Sequence, residues 1–142
     1  MRRREFLAAG AALIAASPAL AQTSPLVKVV KSPTCGCCSA WIEHIERAGF
    51  STEIVDVDDD ALWSLKERLQ IKPELSACHT AFVDGYFVEG HVPVEDIRRL
   101  LAEKPPARGL TVPGMPMGSP GMDYGNEREA FDTLLVGQDG ST

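Results

Sequence analysis

Four cysteines carry the sharpest chemistry in this 142-residue chain, and three of them crowd into Thr34-Cys35-Gly36-Cys37-Cys38. Cys35 and Cys38 alone form a CxxC pair, the spacing used for reversible dithiol chemistry at a helix start. Cys37 changes that reading, because a Cys35–Cys37 or Cys37–Cys38 bond would close a tight, strained ring. A metal accepts several clustered thiolates more easily than disulfides do. The fourth thiol stands in Cys78-His79-Thr80. Soft thiolates select copper(I), zinc or iron-sulfur clusters, and imidazole suits the first two. Met115, Met117 and Met122, in a Gly/Pro segment from Val112 to Met122, tilt the choice, since a thioether favours copper(I) and does little for zinc.

Each assignment has a plainer counterpart. The four cysteines could form two structural disulfides, and the methionines could fill gaps over an apolar face. His79 is a ligand or a hydrogen-bonded turn histidine. His91 is a second ligand, a partner that orients other ligands, or a structural residue before a helix. His44 falls on the polar face of a helix and reads as solvated, and Trp41 reads as core. The acidic run Asp56, Asp58, Asp59 and Asp60 lacks the spacing of a calcium loop and is better explained as a helix start.

These residues need a scaffold that joins distant segments. Leu26 to Lys31 is a β-branched run before the Ser32-Pro33-Thr34 turn, so it predicts a first strand that delivers the chain directly into the cysteines. Trp41, Ile42, Ile45 and Ala48 recur at helical spacing over 39–48, with Gly49 as the stop. A thiolate at the start of that helix is stabilised by the backbone N–H groups and the helix dipole. Ser51 to Val57 predicts a second strand and Leu62, Leu65 and Leu69 a second helix to about Gln70. Thr80–Val83 and Tyr86–Glu89, joined by Asp84-Gly85, predict a hairpin. Val94, Ile97, Leu100 and Leu101 mark a third helix, ended by Pro105-Pro106. The order βαβαββα, with a right-handed crossover in one half and a hairpin in the other, implies an α/β mixed sheet of thioredoxin-like topology. In that topology a cis-proline ordinarily packs against the CxxC, and His79 stands at about its place. Cys78 and His79 should therefore approach the first three cysteines. From Ala107 the chain is rich in Gly, Pro and Met without long periodicity, and reads as a tail folded over the domain.

At the N-terminus, Met1-Arg2-Arg3-Arg4-Glu5-Phe6-Leu7, an apolar run and Ala19-Leu20-Ala21 read as a signal peptide over residues 1–21, with a pair of arginines that fits twin-arginine export. A thioredoxin-like metal-binding domain over 22–106 and a Met-rich extension and flexible tail over 107–142 complete the division. No other run reaches the roughly 20 apolar residues of a membrane span, and no cysteine marks a lipid anchor. Cleavage would remove three arginines and one glutamate, leaving 11 basic and 19 acidic residues and a net charge of -8. Such a surface argues against nucleic acid as a partner.

With these residues in hand, the chain resembles the CopG-type family of periplasmic copper-resistance proteins. Three blocks carry the likeness: Ser32 to Cys38 with Trp41, Cys78-His79-Thr80-Ala81 through Glu89-Gly90-His91-Val92-Pro93, and Gly109-Leu110 through Met122. The resemblance implies a thioredoxin-like domain with a CxCC motif, a site for copper(I) ions bridged by cysteine sulfur, and a periplasmic role in copper handling beside other copper-handling proteins. A second function class stays open, a thiol-disulfide oxidoreductase in which Cys35 attacks and Cys38 resolves. Against it stand Thr34 before Cys35, the intruding Cys37, and His79 in place of the expected proline. Structural zinc is a third reading, in which the methionines would be idle.

Overall fold

A computed structural model describes residues 24–142. The expected signal peptide lies outside those residues. Strands β1 (Leu26–Lys31), β2 (Ser51–Asp56), β3 (Thr80–Val83), β4 (Tyr86–Glu89), β5 (Ala107–Thr111) and β6 (Leu134–Gly137) form one mixed sheet in the order β2-β1-β3-β4-β5-β6. Helices α1 (Gly36–Arg47), α2 (Asp59–Arg68) and α3 (Val94–Glu103) connect them. The order βαβαββα and the mixed sheet agree with the sequence expectation. So does the hairpin at Asp84-Gly85, where both residues have positive φ (47° and 83°), the backbone that a two-residue turn between twisted strands requires.

Alternation along the strands divides the core. Val27 and Val29 of β1, Ala81 and Val83 of β3, and Val88 of β4 face Trp41, Ile42 and Ile45 of α1 and Ile97 and Leu100 of α3. Phe82 and Phe87 point to a second cluster with Ile71 and Val136. Asp58 caps α2 by accepting from the Ala61 N–H at 2.8 Å, as its place in the acidic run suggests. Strand β2 lies at the edge of the sheet, and its one large apolar residue, Ile54, is exposed.

The segment from Ala107, read from sequence as a tail without regular elements, instead supplies β5 and β6. The sequence hides β5 because Ala107-Arg108-Gly109-Leu110-Thr111 lacks clean alternation. Gly109 is nonetheless required there, since a Cβ would sit 2.1 Å from the Phe87 carbonyl oxygen.

Register places the chemistry at one end of the sheet. Val30 pairs with Thr80, Thr80 with Glu89, and Glu89 with Thr111. The segments after β1, before β3, after β4 and after β5 therefore all leave the sheet together. They carry the CxCC motif, Cys78-His79, His91 and the methionine loop respectively.

Candidate metal centre

Cys35 is the N-cap of α1, and Cys37 and Cys38 lie in its first turn, where no acidic side chain competes with sulfur for the free N–H groups. Cys35 and Cys38 are joined by a disulfide, with their Cα atoms 5.3 Å apart, while Cys37 and Cys78 are free. Of the two disulfides that formed the plainer reading, this is one; the other does not form. In this oxidised state Cys35 and Cys38 have no thiolates to offer, so only the reduced chain presents four thiols as donors. Cys37 stands at the centre of the sulfur atoms: its Sγ is 3.6 Å from Cys35 Sγ, 4.0 Å from Cys78 Sγ and 3.7 Å from Met115 Sδ.

Cys78 belongs to two groups of donors, Cys35/Cys37/Cys38/Cys78 and Cys78/His79/His91, with the ligand atoms of each group within 4.8 Å of one another. Its Sγ lies 3.0 Å from His91 Nε2 and 3.3 Å from His79 Nδ1. His91 Nδ1 lies 2.6 Å from the Pro120 carbonyl oxygen, which can only accept. Nδ1 therefore carries the proton and Nε2 presents a bare lone pair to the cluster, the tautomer of a metal-binding imidazole. His79 is fully buried, its ring 4.4 Å from that of Trp41, and its Nε2 has no hydrogen-bond partner among the described residues. It is Nδ1, not this orphaned Nε2, that His79 turns to the Cys78 sulfur.

Met115 is half-exposed at the mouth. Met122 is buried and Met117 is half-buried with its N–H on the Glu129 carboxylate; neither meets a cysteine thiol among the described residues. His44 pairs with Asp123 at 3.3 Å, away from the thiols.

The fold recurs in solved structures. A chain described as copper resistance protein CopG, form 2, is 39% identical, with a TM-score of 0.76, covering 83% of this chain and 93% of its own. The chain belongs to the CopG family. Form 1 of the same protein matches at 39% identity and a TM-score of 0.74, covering 81% of this chain and 90% of its own. The family described as "Protein of unknown function, DUF411" matches residues 75–122, the stretch from before Cys78 to Met122. No curated protein matches the sequence. Among the described residues no helix is long and apolar enough to cross a membrane.

Several supports of this CopG-family site escaped the sequence reading. Pro120 orients His91 through its carbonyl, and Gly121 (φ 88°) lets the loop lie against the cluster. A Cβ there would come within 2.7 Å of the Trp41 amide nitrogen, 2.9 Å of the Cys37 carbonyl oxygen and 3.1 Å of His91 Nδ1. Only the Gly/Pro richness of the loop hinted at such close approach.

Burial sets the protonation states. It pushes the Cys78 thiol up, with the neighbouring Cys37 adding to the effect. It also holds His79 well below the usual imidazole value, with the neighbouring His91 adding to the effect, and holds His91 down against the pull of its Pro120 bond. Both rings are thus neutral in the fold but protonate near 6.5 when unfolded. The unfolded state then binds more protons in acid. The metal-free protein is expected to lose stability as pH falls below about 6.5, which thermal melts down to about pH 5 would register as a falling midpoint.

Proposed function

We propose that this CopG-family chain binds copper(I) in the periplasm, in a cysteine-bridged site able to hold more than one ion, and serves copper resistance by sequestering, passing on or changing the oxidation state of the metal. The observation that carries this reading is the convergence of Cys35, Cys37, Cys78 and Met115 sulfurs from three separate segments around Cys37. Cys35, Cys37, Cys38 and Cys78 are the thiolate ligands in the reduced chain. His91 completes the shell, Met115 offers a thioether at the mouth, and His79 is a further nitrogen within reach. Met117 and Met122 shape the loop. So soft a donor set favours copper(I) over harder cations, and the half-exposed Met115 gives a labile point for entry or transfer to another copper-handling protein.

Anaerobic copper(I) titration of the reduced mature protein, with thiols counted before and after, tests this. Tight binding that protects all four thiols is expected; weak binding that leaves them reactive would overturn the reading. His44→Ala should leave copper stoichiometry unchanged, because its ring is committed to Asp123.

The Cys35–Cys38 disulfide favours one second reading, a thiol-disulfide oxidoreductase. Reduced Cys35 would attack a substrate disulfide, the first substrate thiol would leave, and Cys38 would then displace the second and restore the Cys35–Cys38 bond. Catalytic turnover of insulin disulfides by the copper-free protein would support it, and its absence would remove it.

A further inference from the structure

Behind the sulfur atoms lies a buried ion pair that the copper reading does not use. Lys66 of α2 and Glu89 of β4 form a salt bridge with side chains 4% and 0% exposed. Thr80 is fully buried beside them. One Glu89 oxygen accepts from Lys66 Nζ and from the Ala77 N–H at 2.8 Å. The other accepts from the Thr80 hydroxyl at 2.6 Å, whose oxygen in turn accepts from Lys66 Nζ at 3.0 Å. Ala77 and Thr80 bracket Cys78-His79, so a single carboxylate holds the dipeptide at both ends.

The backbone repeats the pattern. The Gly90 N–H donates to the His79 carbonyl at 3.0 Å, and the Val112 N–H, where the chain leaves β5 toward Met115, donates to the Glu89 carbonyl at 3.1 Å. Gly90 has φ 76°, and a Cβ on it would lie 2.4 Å from Ala77 Cβ and 2.7 Å from the Val112 carbonyl oxygen. His91 follows one residue later. The segments bearing Cys78, His91 and Met115 thus cross at Glu89-Gly90.

Stability alone is a poor reason for such a pair. Removing two charges from water is costly, and well-packed apolar residues in their place are often as stable or more so. What apolar residues cannot supply is direction: an acceptor aimed at one N–H and one hydroxyl on either side of a cysteine.

We propose that the Lys66–Glu89–Thr80 network is a positioning device for the copper site, setting the Cys78 sulfur against Cys37 and His91. This rests on the copper reading for its consequence and on the network alone for its geometry. Two double variants separate the acceptor from the charge. Lys66→Met with Glu89→Gln keeps a carbonyl for the Ala77 N–H; Lys66→Met with Glu89→Leu does not. Both are checked for folding by near-ultraviolet dichroism and thermal melting.

In competition against a copper(I) chelator, the Leu variant should bind about 10- to 100-fold more weakly than wild type and the Gln variant close to it. In a Cys78→Ser background the Leu variant should cost nothing further, since the network acts through Cys78. A metal-free readout is the rate at which diamide links Cys37 to Cys78 while Cys35–Cys38 stays oxidised. It should fall about tenfold in the Leu variant alone, following the lost proximity of the two sulfurs. A folded Leu variant with wild-type affinity and linking rate would overturn the proposal, as would equal losses in the Leu and Gln variants. Failure of wild type to bind copper(I) would defeat the copper reading while leaving the linking rate to decide the positioning role.

Discussion

Cys78→Ser is expected to remove most of the copper(I) affinity while the chain still folds. Cys78 is the one residue common to both donor groups, and its sulfur faces Cys37 at 4.0 Å and His91 at 3.0 Å. Serine is close in size but places a hard hydroxyl where the proposed soft bridging ligand stands, and it divides the donors into a cysteine half and a histidine half. The loss should exceed the roughly 10- to 100-fold that removing a supporting group behind a ligand costs. Cys35→Ser should lower stoichiometry with a smaller loss, because Cys37, Cys78 and His91 stay together. Chelator competition on the reduced variants measures both. Full copper retention by either variant would exclude that cysteine as a ligand.

The largest effect on stability is expected at Trp41, where substitution by alanine should cost about 3–5 kcal/mol. Trp41 is fully buried in the main core, and its indole N–H donates to the Val92 carbonyl at 2.9 Å. Its ring backs His79, so truncation would also open space behind the cluster. Trp63, half-exposed on α2, is the internal control: Trp63→Ala should change stability by no more than about 0.5 kcal/mol. Denaturant unfolding of the metal-free variants compares the two. Equal costs would mean that the core is not organised around α1 as described.

Much of this was legible because periodicity and turn chemistry are local. The β1-to-α1 delivery of the cysteines, the Asp58 cap and the Asp84-Gly85 hairpin each rest on neighbours within a few residues. The approach of Cys78-His79 to Cys37 followed from topology, since a strand after a hairpin count has few places to go. What stayed hidden depends on contacts between distant segments. Strand β5 is specified by its fit against Phe87 rather than by its own pattern. Glu89 reads as the polar end of an apolar strand, and nothing nearby in sequence announces Lys66 as its partner. Nor does an isolated histidine reveal its tautomer; that required the Pro120 carbonyl.

The convergence of four chain segments at one end of the sheet also orders events in time. A nascent chain possesses its CxCC motif early, but Cys78, His91 and Met115 reach it only after β3, β4 and β5 have docked, and such non-local pairings form late. In the reduced chain the CxCC motif alone is therefore a trithiol without a roof, and the full set of donors exists only in the finished fold. An ion held by that full set, as proposed, would draw the folding equilibrium toward the finished form by mass action. Such an ion would act as a final fastener, and its release and the loosening of the segments that carry Cys78, His91 and Met115 would be linked processes.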